Sequence, residues 1–213
     1  MTNMPAIPAK DNAKTVRIVG FALFLVSNML NLLLNVASLP VYFSLPYGFM
    51  NFMQNVAWFL QFAGLLVAAI GFFITFSQKQ DDTLALFAGI TLALAVVLYA
   101  LFKFTPVSLP ALLSQLLLNL FFIALAVRTL RYNQAIGIVL ILAFVFRFVT
   151  GGFLTSVIFR TLAVSSLYSS VRLMQIYFAF IALADVVCAV MALLSALLEK
   201  DTSTAKPAPY PFA

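Results

Sequence analysis

The chain contains no histidine and a single cysteine among 213 residues. Those two shortages remove an internal disulfide, a histidine-held haem and the usual zinc ligand sets. No cofactor and no metal is therefore expected. Cys188, beside Val186, Val187 and Val190, reads as a small packing residue rather than a reactive thiol. Charge is equally scarce. Only 8% of the residues are charged, against roughly 25% in a soluble domain, so an aqueous surface cannot be built from this chain. The formal net charge is +6, but the basic residues are scattered at span ends, with no basic stripe or aromatic platform between them. Nucleic acid is excluded as a partner on that ground.

Reaction chemistry is missing too. Ser165, Ser166, Ser169 and Ser170 have no histidine to serve as base. There is no phosphate-cradling glycine loop, and only one carboxylate lies within an apolar run. A non-enzymatic protein is the expectation. Voltage sensing fails as well, because Arg128 and Arg131 sit at a span edge and no arginine run continues into it.

Apolar residues fill the space that charge leaves, at 64% of the chain. Six runs approach or exceed the roughly 20 residues a helix needs to cross ~30 Å of hydrocarbon. They are Val16–Leu39, Met50–Phe76, Thr83–Phe102, Ala111–Val127, Ala135–Phe159 and Leu173–Leu198. The fold class is all-α, a polytopic transmembrane helix bundle of six spans with both termini cytoplasmic. Residues 1–15 form a polar N-terminal tail, 16–198 the six-helix transmembrane domain, and 199–213 a proline-rich C-terminal tail. The first run exceeds the 7–15 apolar residues of a signal peptide and reads as a retained anchor.

Orientation rests on the basic residues. Lys10, Lys14, Arg17, Lys79, Arg128, Arg131, Lys200 and Lys206 fall on one side, and Lys103, Arg160 and Arg172 on the other. The richer side is assigned to the cytoplasm. A plasma or inner membrane is the expected location, with lipid as the surrounding partner. Thr150-Gly151-Gly152 offers a point where the fifth span breaks, in which case residues 153–172 become an external re-entrant or interfacial segment.

Two sets of polar residues stand out inside these runs. Asn28, Asn31, Asn35 and Ser38 recur at helical spacing in the first span, and Asn51, Gln54, Trp58 and Gln61 in the second. Each set shares one helical face. Amides in lipid need partners, so both faces are expected to look at protein or water. Gly64, Ala68 and Gly71, with Ala85, Gly89 and Ala93, let helix backbones approach closely.

Beyond these two sets stands a pair of opposite charges. Arg147 lies twelve residues into its span, and Asp185 lies thirteen before the end of the next. Those offsets are roughly 18 and 20 Å from the same membrane face. A charge at such depth costs about 2.5–3.5 kcal/mol on insertion scales and is retained with a partner or a task. The matched depths predict a buried ion pair between antiparallel neighbours. The leading functional expectation is a non-catalytic subunit, scaffold or assembly component of a membrane complex, partnered by other membrane subunits or by itself. In that reading the amides hold helices together, and Tyr210 and Phe212 anchor the tail to a neighbour. The alternative is a transporter or channel for a small solute, proton or ion, its path lined by the amides and gated by Arg147 and Asp185.

Overall fold

A backbone in hydrocarbon has no water to bond, so it must satisfy its own N–H and C=O groups. The computed structural model does this with helix throughout. It describes residues 12–37, 46–104, 109–150 and 167–199. Among these are six helices: α1 (Asn12–Ala37), α2 (Tyr47–Gln78), α3 (Thr83–Phe104), α4 (Leu109–Leu130), α5 (Gln134–Phe148) and α6 (Leu167–Leu197).

Five of them are long and apolar enough to cross a membrane. The exception is α5, whose 15 residues measure about 22 Å at 1.5 Å per residue, short of a ~30 Å core. Its expected continuation to Phe159, with the Gly151-Gly152 break, lies outside the described residues. So do Ser38, Pro40, the stretch from Gly151 to Ser166, and the tail with Tyr210 and Phe212. The fourth span, the shortest in the sequence, becomes a helix of 22 residues. Gln115, Asn119 and Arg128 dilute its hydropathy, yet all three find partners inside the protein.

Short polar turns link α2 to α3 and α4 to α5. Asp82 accepts the Ala85 N–H at 3.1 Å, and Asn133 caps α5 by accepting the Ile136 N–H at 3.2 Å. Each cap satisfies one of the orphan donors at a helix start.

Consecutive helices pack against one another in chain order, and α6 returns to pack on α1, which closes a ring. The tightest seam is α1 on α2. A Cβ placed on Gly64 would meet the Phe24 backbone nitrogen at 2.6 Å, and one on Gly71 would meet the Arg17 backbone nitrogen at 2.9 Å. Glycine is therefore required there by the close approach of two backbones. Ser27 donates across the same seam to the Ala57 carbonyl at 2.7 Å. Within the ring Phe21 of α1 and Phe72 of α2 meet Phe121 of α4, with ring centroids 6.2 and 5.8 Å apart. These phenylalanines and Phe122 are fully buried.

Candidate functional site

The ring carries two polar assemblies at different levels. The first sits where α1 begins, where the two short turns lie, and where α6 ends. Arg17 near the start of α1 bonds Glu199 just beyond α6, Nη1 to Oε2 at 2.6 Å. Arg128 near the end of α4 grips both Glu199 oxygens, at 2.9 and 2.7 Å, and turns its Nε to Asp82 at 2.9 Å. The Lys14 ammonium donates to the Glu199 backbone carbonyl at 2.7 Å. The Arg17 guanidinium also lies 5.4 Å from the Phe72 ring centroid, a cation–π distance.

Both arginines are almost fully buried. Burial alone would raise the Glu199 pKa. Hydrogen bonds from Arg128 and the charges of Arg17 and Arg128 outweigh it and bring the pKa down to about 2. We call this assembly the clasp, since one carboxylate joins the first, fourth and last helices. On its outer side a pocket of about 720 Å³ is lined by residues of both turns together with Arg128 and Glu199.

The second assembly lies deep in the ring. Arg147 of α5 donates from Nε to Asp185 of α6, at 2.5 Å. Its other two nitrogens reach α4, Nη1 to Asn119 Oδ1 at 2.5 Å and Nη2 to Gln115 Oε1 at 2.9 Å. The guanidinium stands 5.7 Å from the Phe122 ring centroid. The residues paired by depth in the sequence thus meet, and two further partners come from α4. Their signal was available: Gln115 and Asn119 are four apart, one turn of one face, and Gln115 lies twelve residues before its span's end, as Arg147 lies twelve past its own start.

A third group continues from this level. Tyr99 of α3 donates to Gln61 of α2 at 3.0 Å and stacks on Trp58 at 5.8 Å. It is close enough to Asp185 for the two to interact electrostatically. Lys103, one turn further along α3, donates to Asn55 at 3.0 Å.

In the first span two amides bond their own helix. Asn28 donates to the Phe24 carbonyl and Asn35 to the Asn31 carbonyl, both within α1 and both at 2.8 Å. A short amide reaches back to the carbonyl four residues earlier without help from a neighbour. Asn31 and Asn35 are half-buried, and Gln54 is exposed.

Accessibility divides these assemblies. Asp185 lies on the same arc of α6 as Ala182, Cys188, Ala189 and Ala192, all buried, yet its own side chain is 25% exposed. On α1, Asn31 and Asn35 share the arc of Arg17, Phe24 and Asn28 but are more accessible than any of these. On α2, Gln54 and Gln61 share the arc of Ala57, Leu65 and Ala68 and are likewise more open. Gln115, although bonded to Arg147, is exposed. These polar side chains are thus more accessible than those of the clasp, although Arg147 itself and its apolar neighbours on the same arcs, Ala57, Tyr177 and Ala182, are buried.

Among the described residues no group of acidic, histidine or cysteine side chains could hold a metal ion. Every buried side-chain nitrogen or oxygen described has a hydrogen-bond partner.

Five helices long and apolar enough to cross a membrane, packed around a core rich in phenylalanine, leucine and alanine, point to a multi-pass membrane protein. Compared with known protein families, curated proteins and solved structures, the chain matches none. Its function has to be argued from the chemistry of the ring.

Proposed function

We propose that this chain is a six-span membrane protein, both termini in the cytoplasm, that admits a small polar solute into its helix ring and passes it across the membrane. One observation carries the reading: Gln54, Gln115 and part of Asp185 stay accessible, whereas Arg17 and Arg128 of the clasp are buried. Two helices glued together by amides would hide Gln54, Gln61, Asn31 and Asn35 against each other. Here Gln54 is exposed and Asn31, Asn35 and Gln61 are only half-buried, which leaves them open to a solute. The clasp end carries Lys79, Arg128 and Arg131 and is placed in the cytoplasm by the positive-inside rule. The entrance then faces outward, and α5 with the residues after it supplies the sixth span.

A second reading has its own support. Arg147 ties α4, α5 and α6 together through three hydrogen bonds, which is how a structural joint in a scaffold or complex subunit is built. The two readings separate on access from water. Single cysteines at Asn31, Asn35 and Gln54 in a Cys188→Ala background are treated with a membrane-impermeant thiol reagent in oriented vesicles. Transport expects labelling from the outer side only, with a cysteine at Thr129 unlabelled from either side. If all three inward positions resist labelling from both sides, the solute path is gone and the joint reading stands.

A further inference from the structure

The pocket beside the clasp holds charge that the clasp does not use. Its ionised lining comes from three places: Lys79, Asp81 and Asp82 in the turn between α2 and α3, Arg128 and Arg131 at the end of α4, and Glu199 beyond α6. Cations and anions are equal in number there, so the lining is neutral overall. Arg128, Asp82 and Glu199 are bonded to one another within the clasp. Arg131 and Asp81 are exposed, and neither side chain has a hydrogen-bond or ion-pair partner among the described residues.

An unspent guanidinium and an unspent carboxylate on one pocket select a ligand that carries both signs. A simple anion would meet Asp81, Asp82 and Glu199, and a simple cation would meet Lys79, Arg128 and Arg131. A guanidinium fork matches a phosphate, and a carboxylate accepts hydrogen bonds from a primary ammonium. The pocket's position names the source of such a group. It lies where α2, α4 and α6 end and α3 begins, at the level where apolar spans leave hydrocarbon. Leu116, Leu120, Ile123 and Val127 are exposed along α4 at helical spacing, and Arg131 follows four residues later. An exposed apolar stripe on a membrane helix faces acyl chains, so the cation that ends it stands at the depth of lipid headgroups.

We propose that this pocket binds the phosphoethanolamine group of a membrane lipid, phosphate on Arg131 and ammonium on Asp81. The acyl chains then run along the α4 stripe. Since Arg128 and Glu199 line the same pocket, the bound headgroup covers the clasp from its outer side. The inference stands apart from the choice between a solute path and a structural joint, because neither uses this pocket.

Native mass spectrometry of the full chain in mild detergent tests it by reading which lipid the protein retains. The probes are phosphatidylethanolamine, phosphatidylcholine and phosphatidylglycerol with identical acyl chains, and free phosphoethanolamine as the soluble source of the same group. We expect one saturable phosphatidylethanolamine adduct, retained about fivefold better than either other lipid. The choline group keeps the charge but has no N–H to give Asp81, and the glycerol group has no cation. Arg131→Gln should weaken that adduct by a similar factor. Asp81→Asn should erase the preference over phosphatidylglycerol, an exchange of selectivity that a merely structural aspartate would not produce. Both positions are exposed and lie outside the clasp bonds, so each variant should keep the parent's unfolding midpoint. Equal retention of the three lipids, the mark of an annular shell, overturns the proposal. So does a preference that survives both variants. A stronger phosphatidylglycerol adduct overturns it in favour of an anionic-lipid site, and saturable binding of free phosphoethanolamine with no lipid preference overturns the lipid as its source.

Discussion

The clasp and the Arg147 assembly use the same chemistry, arginine on carboxylate, and differ in what surrounds it. At the clasp two guanidiniums converge on Glu199 while Asp82 takes the remaining Arg128 donor. Buried phenylalanines lie directly inward. At Arg147 one guanidinium is balanced by one partly exposed carboxylate and steadied by two amides. In the first arrangement Glu199 and Arg128 each answer to two opposite charges. In the second a single pair of charges is completed by neutral amides. The same ion-pair chemistry is thus networked at one end of the ring and solitary in its middle.

The largest effect should come from breaking the solitary pair from its buried side. Arg147→Ala leaves Asp185 uncompensated in the ring and strands the acceptors of Asn119 and Gln115. A loss of about 3–5 kcal/mol is expected, read as a fall in thermal unfolding temperature in detergent. If Arg147→Ala is no worse than a lipid-facing change such as Leu142→Ala, the pair contributes nothing to the bundle.

The clasp should respond to acid instead. The Glu199 pKa is held at about 2, below the ordinary 4.5. A depressed carboxylate stabilises the fold in its charged form, so the contribution is complete above about pH 4.5. It fades as pH falls towards 2, with up to about 3 kcal/mol at stake. Unfolding followed from pH 6 to pH 2.5 should therefore weaken most steeply in the lower half of that range. Glu199→Gln should flatten the curve, and an unchanged acid slope in that variant would place the titration elsewhere.

A charge exchange at Arg147 and Asp185 sharpens the contrast further. Single neutralisations should each cost more than the exchanged double variant, with a coupling of about 1–3 kcal/mol in a stability cycle. Recovery should be incomplete, because a guanidinium at position 185 no longer faces Gln115 and Asn119 as Arg147 does. Strictly additive losses would mean that the two charges act independently.

These comparisons show where the residues alone were informative. Hydropathy located five of the helices to within about six residues, because every backbone group in lipid must bond within its own helix, whatever the neighbours are; the far end of the fifth run lies outside the described residues. Depth counting brought Arg147 and Asp185 to one level because rise per residue is constant. The same counting applied to Gln115 and Asn119 finds their shared level, but amides without charge carry no sign to match, so they were not paired. The clasp was hidden for another reason. Arg17 and Arg128 were read as topology signals at span ends, a role that needs no partner, and Glu199 lay in what reads as a tail. Closure of the ring, with α6 against α1, is what brings these ends together. No local pattern encodes it. For the α1 amides, periodicity shows which face a residue occupies but not whether its hydrogen bond leaves the helix.

That last distinction yields the smallest effect and a clean measurement. Ser27 and Asn35 are polar residues of the same helix, but Ser27 bonds the Ala57 carbonyl of α2 and Asn35 bonds the Asn31 carbonyl of its own turn. Ser27→Ala removes an interhelical bond at a fully buried position and should cost about 1 kcal/mol. Asn35→Ala removes a back-bond whose carbonyl already serves the helix, and alanine is the better helix former, so its cost should be smaller than that of Ser27→Ala. A solute path makes a further demand on the same pair. Because Asn35 faces the accessible part of the ring, its replacement should alter flux while leaving stability intact, and Ser27→Ala should do the reverse. If both variants lose stability and neither affects flux, Asn35 is packing after all, and the amide face belongs to the joint rather than to the path.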